Sequence, residues 1–284
     1  LKGTADGLGG KGTHVSINLS QMGMENQAFG IAYGETGRRI IELLTQDLID
    51  VHFQYYPDRE SRTNYLLVED SGKCTCLSSK GIQLTPEDID SFIAYIDPEI
   101  GNGDYLVFSG DASNCPDPYV YNHILRAFSD RHLKVFMDAS GDTLKKCIEE
   151  GPYLIKPNVD ELSYLCGRKL ETVEEICQGV ESLQSYQIPV IAVSMGKEGA
   201  IVCVDGQYYR VISPKVKVNN TIGCGDCFLA GLIYGIRKDL PVAETLAYAA
   251  GVSSACAESV LSVGYDEARA KELTAQAEIR NMGL

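Results

Sequence analysis

No apolar run in this chain approaches the roughly 20 residues that a membrane-spanning helix needs. No signal-peptide succession of charged, apolar and small residues opens it either. Internal repeats and low-complexity tracts are lacking too. Positive charge is scarce: 25 Lys and Arg stand against 39 Asp and Glu, for a net charge of −14. A field of that sign disfavours nucleic acid and anionic membranes as partners. It permits a small anionic substrate only if a few of the scarce cations gather in one pocket. The ten Cys are scattered through apolar stretches instead of forming the dense framework of a short secreted domain. They read as reduced thiols, which makes a cytoplasmic location the expectation. Neither Cys74-x-Cys76 nor Cys224-x-x-Cys227 is joined by a second pair at zinc-like spacing, so neither reads as a metal or redox centre.

What is present is the pattern of one large α/β domain, a size that 284 residues allow. Buried strands are expected at Tyr105–Ser109, Lys134–Asp138, Tyr153–Lys156 and Val190–Ser194, each a short apolar run. Helical segments lie between them. Thr85-Pro86-Glu87-Asp88 combines an N-cap, a first-turn Pro and first-turn acids. Thr172-x-x-Glu175 is a capping box opening a helix that runs towards Tyr186. Strand–helix alternation implies a mostly parallel sheet covered by helices on both faces. Around residues 60–80 the pattern changes. Asn64–Glu69 and Cys74–Ser78 flank Asp70-Ser71-Gly72, a hairpin signature that suits either an added β lid or an antiparallel edge of the main sheet.

Four segments carry candidate chemistry. Asn219-Asn220-Thr221-Ile222-Gly223-Cys224-Gly225-Asp226 precedes a helical pattern, Cys227–Arg237. Glycines at a helix start let the backbone approach an anion, and the free N–H groups and the dipole favour a phosphate there. Asp226 in that first turn is placed to take the proton of an attacking hydroxyl. Lys156-Pro157-Asn158-x-x-Glu161 follows a strand and puts two oxygen-bearing side chains on one face of a turn, a set that suits Mg²⁺ shared with phosphates and water. Ser194-Met195-Gly196-Lys197-Glu198-Gly199 links two strands, either as a nucleotide-facing loop or as a plain hairpin turn. Gly7-x-Gly9-Gly10-Lys11-Gly12 fits the dinucleotide fingerprint only formally, because six residues leave no room for the strand that must come first. It reads better as a Gly-rich turn bringing Lys11 and a helix N-terminus to a substrate. Taken singly, the Asp226 and Glu161 segments are equally consistent with ordinary helix-start acids.

Together and in this order, the segments resemble the ribokinase-like, or phosphofructokinase-B, carbohydrate kinases, nearest the branch of 1-phosphofructokinase and tagatose-6-phosphate kinase. The resemblance rests on GGKGTHVS (Gly9–Ser16), SRTN (Ser61–Asn64), Ser109-Gly110, MDASG (Met137–Gly141), KPNVDEL (Lys156–Leu162), SMGKEGA (Ser194–Ala200) and NTIGCGD (Asn220–Asp226). It implies a single ribokinase-like kinase domain over residues 1–284, three-layered, with the 60–80 segment as a small β lid that also joins a homodimer. It implies ATP and Mg²⁺ as cofactors and a sugar or sugar phosphate as the small-molecule partner. By its motifs, Asp226 is the catalytic base and Gly223, Cys224 and Gly225 form the anion hole. Lys11, Gly10, His14, Arg62, Asn64, Ser109 and Gly110 hold the substrate, with Lys11 and Arg62 on its existing phosphate. Lys156, Asn158, Ser194, Gly196, Gly199 and Thr221 meet ATP, while Glu161 and Asn158 organise Mg²⁺, partly through water.

The chain departs from the family pattern in three places. His14 stands where the family has an Asn. Asp111 puts a negative charge in the Ser109–Cys115 loop, where a substrate phosphate is expected. The family's first strand and its substrate Asp have no room before Gly7, so they lie upstream of Leu1 or are missing. A kinase of an unphosphorylated sugar or nucleoside is the alternative, followed by a non-catalytic binding paralogue.

Overall fold

The Gly-rich turn near the start of the chain leads straight into a helix, α1 (Lys11–Gln21). Gly10 before it has φ 106°, a backbone region that residues with a β-carbon rarely adopt. This and all that follows is seen in a computed structural model, which describes residues 7–69, 74–110, 112, 114, 115, 117 and 119–283. A parallel βαβ unit comes next, formed by β1 (Gln27–Tyr33), α2 (Gly34–Gln46) and β2 (Asp50–Tyr56). Then β3 (Asn64–Val68) and β4 (Cys74–Ser78) pair antiparallel, Asn64 opposite Ser78, as a two-stranded sheet of their own. The expected turn at Asp70-Ser71-Gly72 lies outside the described residues.

The body of the chain continues through α3 (Pro86–Ile96), β5 (Tyr105–Ser109), α4 (Val120–Ala127), β6 (Lys134–Asp138), α5 (Gly141–Cys147) and β7 (Leu154–Ile155). It goes on through α6 (Val159–Cys166), α7 (Val173–Glu181), β8 (Val190–Ser194), β9 (Ala200–Val204) and β10 (Gln207–Ile212). The last elements are α8 (Cys224–Arg237), α9 (Val242–Glu258), α10 (Glu267–Gln276) and β11 (Glu278–Asn281).

Seven strands form the central sheet in the order β11-β10-β9-β8-β7-β6-β5. From β5 to β8 the pairing is parallel, with helices making the crossovers. From β8 to β11 it is antiparallel. The sheet is mixed, and mostly parallel as expected in that only β9 and β11 run against the other five strands. The antiparallel part exists because the Ser194–Ala200 segment is too short to carry a crossover helix and closes a hairpin instead.

Side chains along the central strands alternate between two apolar layers, as the strand period of two requires. Ile155, Ile191, Val193 and Ile201 face Leu144, Leu162, Ile176 and Val180 on one side. Leu154, Val190, Ala192 and Val202 face Val15, Leu229, Ile233 and Leu246 on the other. The result is three layers, helix–sheet–helix. The helix starts read from the sequence are built as capping boxes at Thr85, Asn158 and Thr172. The Thr172 helix stops at Glu181, and a separate 3-10 turn, Gln184–Tyr186, follows it. The Cys227–Arg237 helix begins earlier, at Cys224, which draws Asp226 into its first turn.

No described helix is long and apolar enough to cross a membrane. Cys224 and Cys227 carry free thiols, as does every described cysteine side chain. The β1–β2 sheet is not hydrogen-bonded to the central sheet. Its β1 and the outer strand β5 face each other across a cleft, and α1 touches both.

Candidate active site

The first turn of α8 stands at the floor of that cleft. Gly223, just before it, has φ 80°, and a β-carbon there would lie 2.2 Å from the carbonyl oxygen of Ser262. Only glycine fits. No side chain caps this end of α8, so its first-turn amides remain for an external anion. Asn220 shapes the approach, its Oδ1 accepting from the N–H of Ile222 at 2.9 Å and its Nδ2 donating to the carbonyl of Leu261 at 2.9 Å.

A buried carboxylate holds two ammonium groups beside this turn. Asp138 ends β6 and is 1% exposed. Its Oδ1 lies 3.0 Å from the Nζ of Lys11, and its Oδ2 lies 3.0 Å from the Nζ of Lys156. Lys156, also buried, has its backbone pinned by an N–H bond to the carbonyl of Met137 at 2.9 Å. Its ammonium comes within 3.4 Å of where a β-carbon on Gly225 would be. Lys11 remains half-exposed to the cleft. Burial depresses its pKa, but the charge and hydrogen bond of Asp138 outweigh that, helped by Glu161 and Asp226, and hold it above the ordinary lysine value.

Asp226 is buried and hydrogen-bonded across the α1–α8 contact. Its Oδ2 lies 2.9 Å from the Nδ1 of His14, and the Nε2 of His14 lies 2.9 Å from the carbonyl oxygen of Leu8. Asn158 and Glu161, which also line the cleft, close the capping box of α6. The N–H of Glu161 donates to Asn158 Oδ1 and the N–H of Asn158 donates to Glu161 Oε2, both at 2.8 Å. One oxygen of Glu161 and the single side-chain oxygen of Asn158 are thus engaged. No group of three or more His, Cys, Asp or Glu gathers for a metal among the described residues. A cation here would have to take most of its ligands from phosphate and water, the habit of Mg²⁺.

A family model described as pfkB family carbohydrate kinase matches residues 2–265. The chain belongs to this family. It is a carbohydrate kinase, a phosphotransferase, and its family implies the use of ATP. The 1-phosphofructokinase of Vibrio cholerae is 31% identical over 245 residues, 86% of this chain and 77% of the relative. That of Bacillus subtilis is 30% identical over 249 residues, 88% of this chain and 80% of the relative. Among solved structures, phosphofructokinase-2 of Escherichia coli in complex with potassium superposes with a TM-score of 0.87 at 24% identity, covering 94% of this chain and 87% of the other. That enzyme also has a structure of a tetrameric inhibited form, with a TM-score of 0.85 and the same coverages. These likenesses carry the ribokinase-like α/β fold.

In this kinase one cleft is lined by most of the residues singled out from the sequence: Gly10, Lys11, His14, Arg62, Asn64, Ser109, Gly110, Lys156, Asn158, Glu161, Ser194, Thr221, Gly223, Gly225 and Asp226. Its volume, about 3710 Å³, is several times that of an ordinary small-ligand pocket, because the site runs on into the gap between β1 and β5. Arg62 is exposed in the loop before β3 and has no hydrogen-bond or ion-pair partner among the described residues. Ser109 keeps its hydroxyl buried and unpaired among the described residues. Asp111 lies outside the described residues.

Three predicted residues do not line the cleft. The thiol of Cys224 turns away, 3.7 Å from the carbonyl of Asn220. Gly196 and Gly199 belong to the β8–β9 hairpin turn. Gly199 has φ 89°, and a β-carbon on it would lie 2.0 Å from the carbonyl oxygen of Val211, so the approach of β10 explains this glycine without a nucleotide. His14, expected to touch sugar, has both ring nitrogens engaged within the protein. Asp138 was not singled out. Its signal was the acid of MDASG at a strand end, which is meaningless until the fold brings Lys11 and Lys156 to it.

Proposed function

We propose that this kinase transfers the γ-phosphoryl group of ATP to a hydroxyl of a sugar phosphate, in the manner of a 1-phosphofructokinase, with Asp226 as the base. The observation that carries the reading is the meeting, in one cleft, of a buried carboxylate at the uncapped start of α8 with the paired ammonium groups of Lys11 and Lys156. The names of the curated relatives support the choice of fructose 1-phosphate as the first substrate to try.

The chain's residues divide the work between three places. Asp226 takes the proton of the attacking hydroxyl. The amides at Gly223–Gly225 and the ammonium of Lys156 offset the charge that develops on the transferring phosphoryl group. Lys11, with its ammonium oriented by Asp138, and Arg62, with a planar fork, hold the substrate's own phosphate. Thr221, Ser194 and Asn158 lie on the ATP side. Mg²⁺, when bound near Glu161 and Asn158, neutralises phosphate charge. The β3–β4 hairpin, with exposed Tyr65, Leu66, Leu67 and Leu77, acts as the lid and as the contact between two copies in a homodimer. Sedimentation of a hairpin-deleted chain tests the dimer. The setting we infer is the cytoplasm, where thiols stay reduced.

ADP release, followed by a coupled assay with fructose 1-phosphate, tagatose 6-phosphate, fructose 6-phosphate, fructose and ribose, tests the function. Activity confined to sugar phosphates is the expected result. A preference for fructose or ribose would transfer the reading to kinases of unphosphorylated sugars.

A further inference from the structure

We propose that His14 is a positioning residue for the base: as an imidazolium it fixes one oxygen of Asp226 and leaves the other to receive the substrate's proton. The inference rests on the reading of Asp226 as the base of a sugar-phosphate kinase.

A backbone carbonyl can only accept, so the Nε2 of His14, 2.9 Å from that of Leu8, carries a hydrogen. That settles one nitrogen and leaves the question of the other. Nδ1 faces Oδ2 of Asp226 at 2.9 Å, and a hydrogen bond of that length needs one proton between them. With Asp226 ionised, as a base must be, the proton sits on Nδ1 and the ring is charged. With neither group protonated, the Nδ1 lone pair would point at a carboxylate inside a site where both residues are 5% exposed. Such a contact is repulsive and has little water to relieve it.

The pKa of His14 moves accordingly. Burial lowers it, but the hydrogen bonds to Asp226 and to the carbonyl of Leu8, and the charge of Asp226, together raise it above the ordinary histidine value. Asp226, on α8, is the charged group that bears on the ring. Asp226 in turn bears on Lys11, on α1 itself, and on the thiols of Cys224 on α8 and Cys256 on α9.

The same geometry excludes two other roles. His14 does not relay protons to solvent, because the Nε2 proton ends on a carbonyl that cannot pass it on. Nor does it bind a sugar hydroxyl through nitrogen, because both nitrogens are engaged. In the transfer step the substrate O–H bond breaks and its proton goes to Oδ1 of Asp226. The substrate oxygen bonds to the γ-phosphorus as the bond to ADP breaks, and the Nδ1 proton stays on His14.

Two experiments on the full chain decide this. The first is independent of the activity: ¹⁵N-histidine NMR of the free protein, titrated from acid to alkaline pH. Both nitrogens of His14 are expected to be protonated at pH 7, and Asp226→Asn is expected to lower its pKa. A neutral ring at pH 7 overturns the proposal. The second uses fructose 1-phosphate and ATP. His14→Ala is expected to lower kcat by about tenfold to a hundredfold, the usual weight of a charge-assisted hydrogen bond, with both KM values nearly unchanged. His14→Asn keeps a donor to Oδ2 that does not titrate. It is expected to restore most of kcat and to abolish the alkaline fall of the wild-type profile. A rise in the sugar-phosphate KM without loss of kcat in His14→Ala overturns the proposal in favour of a sugar contact, and failure of His14→Asn to restore kcat overturns it as well. If the wild type phosphorylates no sugar phosphate, the proposed function has failed, and the NMR titration still reads the charge of His14.

Discussion

Gly223 and Ser262 touch so closely that a β-carbon on the glycine would lie 2.2 Å from the serine's carbonyl oxygen. Two residues later, a β-carbon on Gly225 would meet nothing nearer than the Lys156 ammonium, at 3.4 Å. The two glycines of the anion loop are therefore there for different reasons. Gly223→Ala should lose stability, with about 1–2 kcal/mol from the left-handed backbone alone and more from the clash. Gly225→Ala should melt at or above the wild-type temperature, since alanine favours a helix, yet lose kcat because its methyl group crowds the phosphoryl position. Calorimetry and steady-state kinetics on both variants check the contrast. Equal loss of stability in both would refute it.

Asp226→Asn removes the proposed base while keeping its shape. Turnover should fall by about 10² to 10⁴-fold, with ATP binding by titration calorimetry mostly retained. A variant keeping more than about a tenth of the wild-type kcat would take the role away from Asp226.

Glu161→Gln should separate the residue's two duties. A glutamine oxygen can still accept from the N–H of Asn158, so the cap and the melting temperature should survive. The lost charge should raise the Mg²⁺ concentration needed for half-maximal rate. Unchanged Mg²⁺ dependence would leave Glu161 a helix cap and nothing more.

Arg62→Ala should raise KM for the sugar phosphate by about tenfold to a hundredfold, the loss expected for one charge-assisted phosphate contact. KM for ATP should change little, because the residues proposed to meet the nucleotide, Ser194 and Thr221, belong to other segments than the loop that bears Arg62. An unaltered sugar-phosphate KM would show that the clamp is misassigned.

Stability should carry the mark of His14 as well. Its pKa rises on folding above the ordinary histidine value of about 6.5. A group bound more tightly to its proton in the folded state stabilises fully below the unfolded pKa and loses that contribution as pH climbs through the folded one. The urea midpoint of the wild type relative to His14→Asn should thus be constant below about pH 6.5 and decline on the alkaline side. A relative midpoint that increases with pH would mean that the ring is neutral in the folded chain.

Much of the framework was legible because it depends on short-range pattern. β5, β6 and β8 have the bounds their apolar runs announce, and α3, α6 and α7 start at their caps. β1 and β2 escaped notice because QAFGIAY and DVHFQYY are mostly half-buried and mix polar with apolar residues. β11, Glu278–Asn281, was equally hidden: a charged edge strand is defined by its pairing with β10, not by its composition. The site divides in the same way. Asp226 could be placed by its helix start. Its partner His14 is 212 residues away, and Asp138 is 127 residues from Lys11, so no local pattern joins them.

The carboxylate of Asp138 cancels half of the positive charge that Lys11 and Lys156 bring to the cleft, in a molecule whose net charge is −14. An approaching phosphate is thus repelled from afar and attracted only at close quarters. Dissolved salt acts unequally on these two forces. Raising ionic strength from 0.01 to 0.1 M shortens the screening length from about 30 to about 10 Å, which mutes the remote acids long before it reaches contacts made at bonding distance. Moderate salt should therefore quicken the capture of an anionic substrate by this kinase, where an enzyme with a basic surface would be slowed.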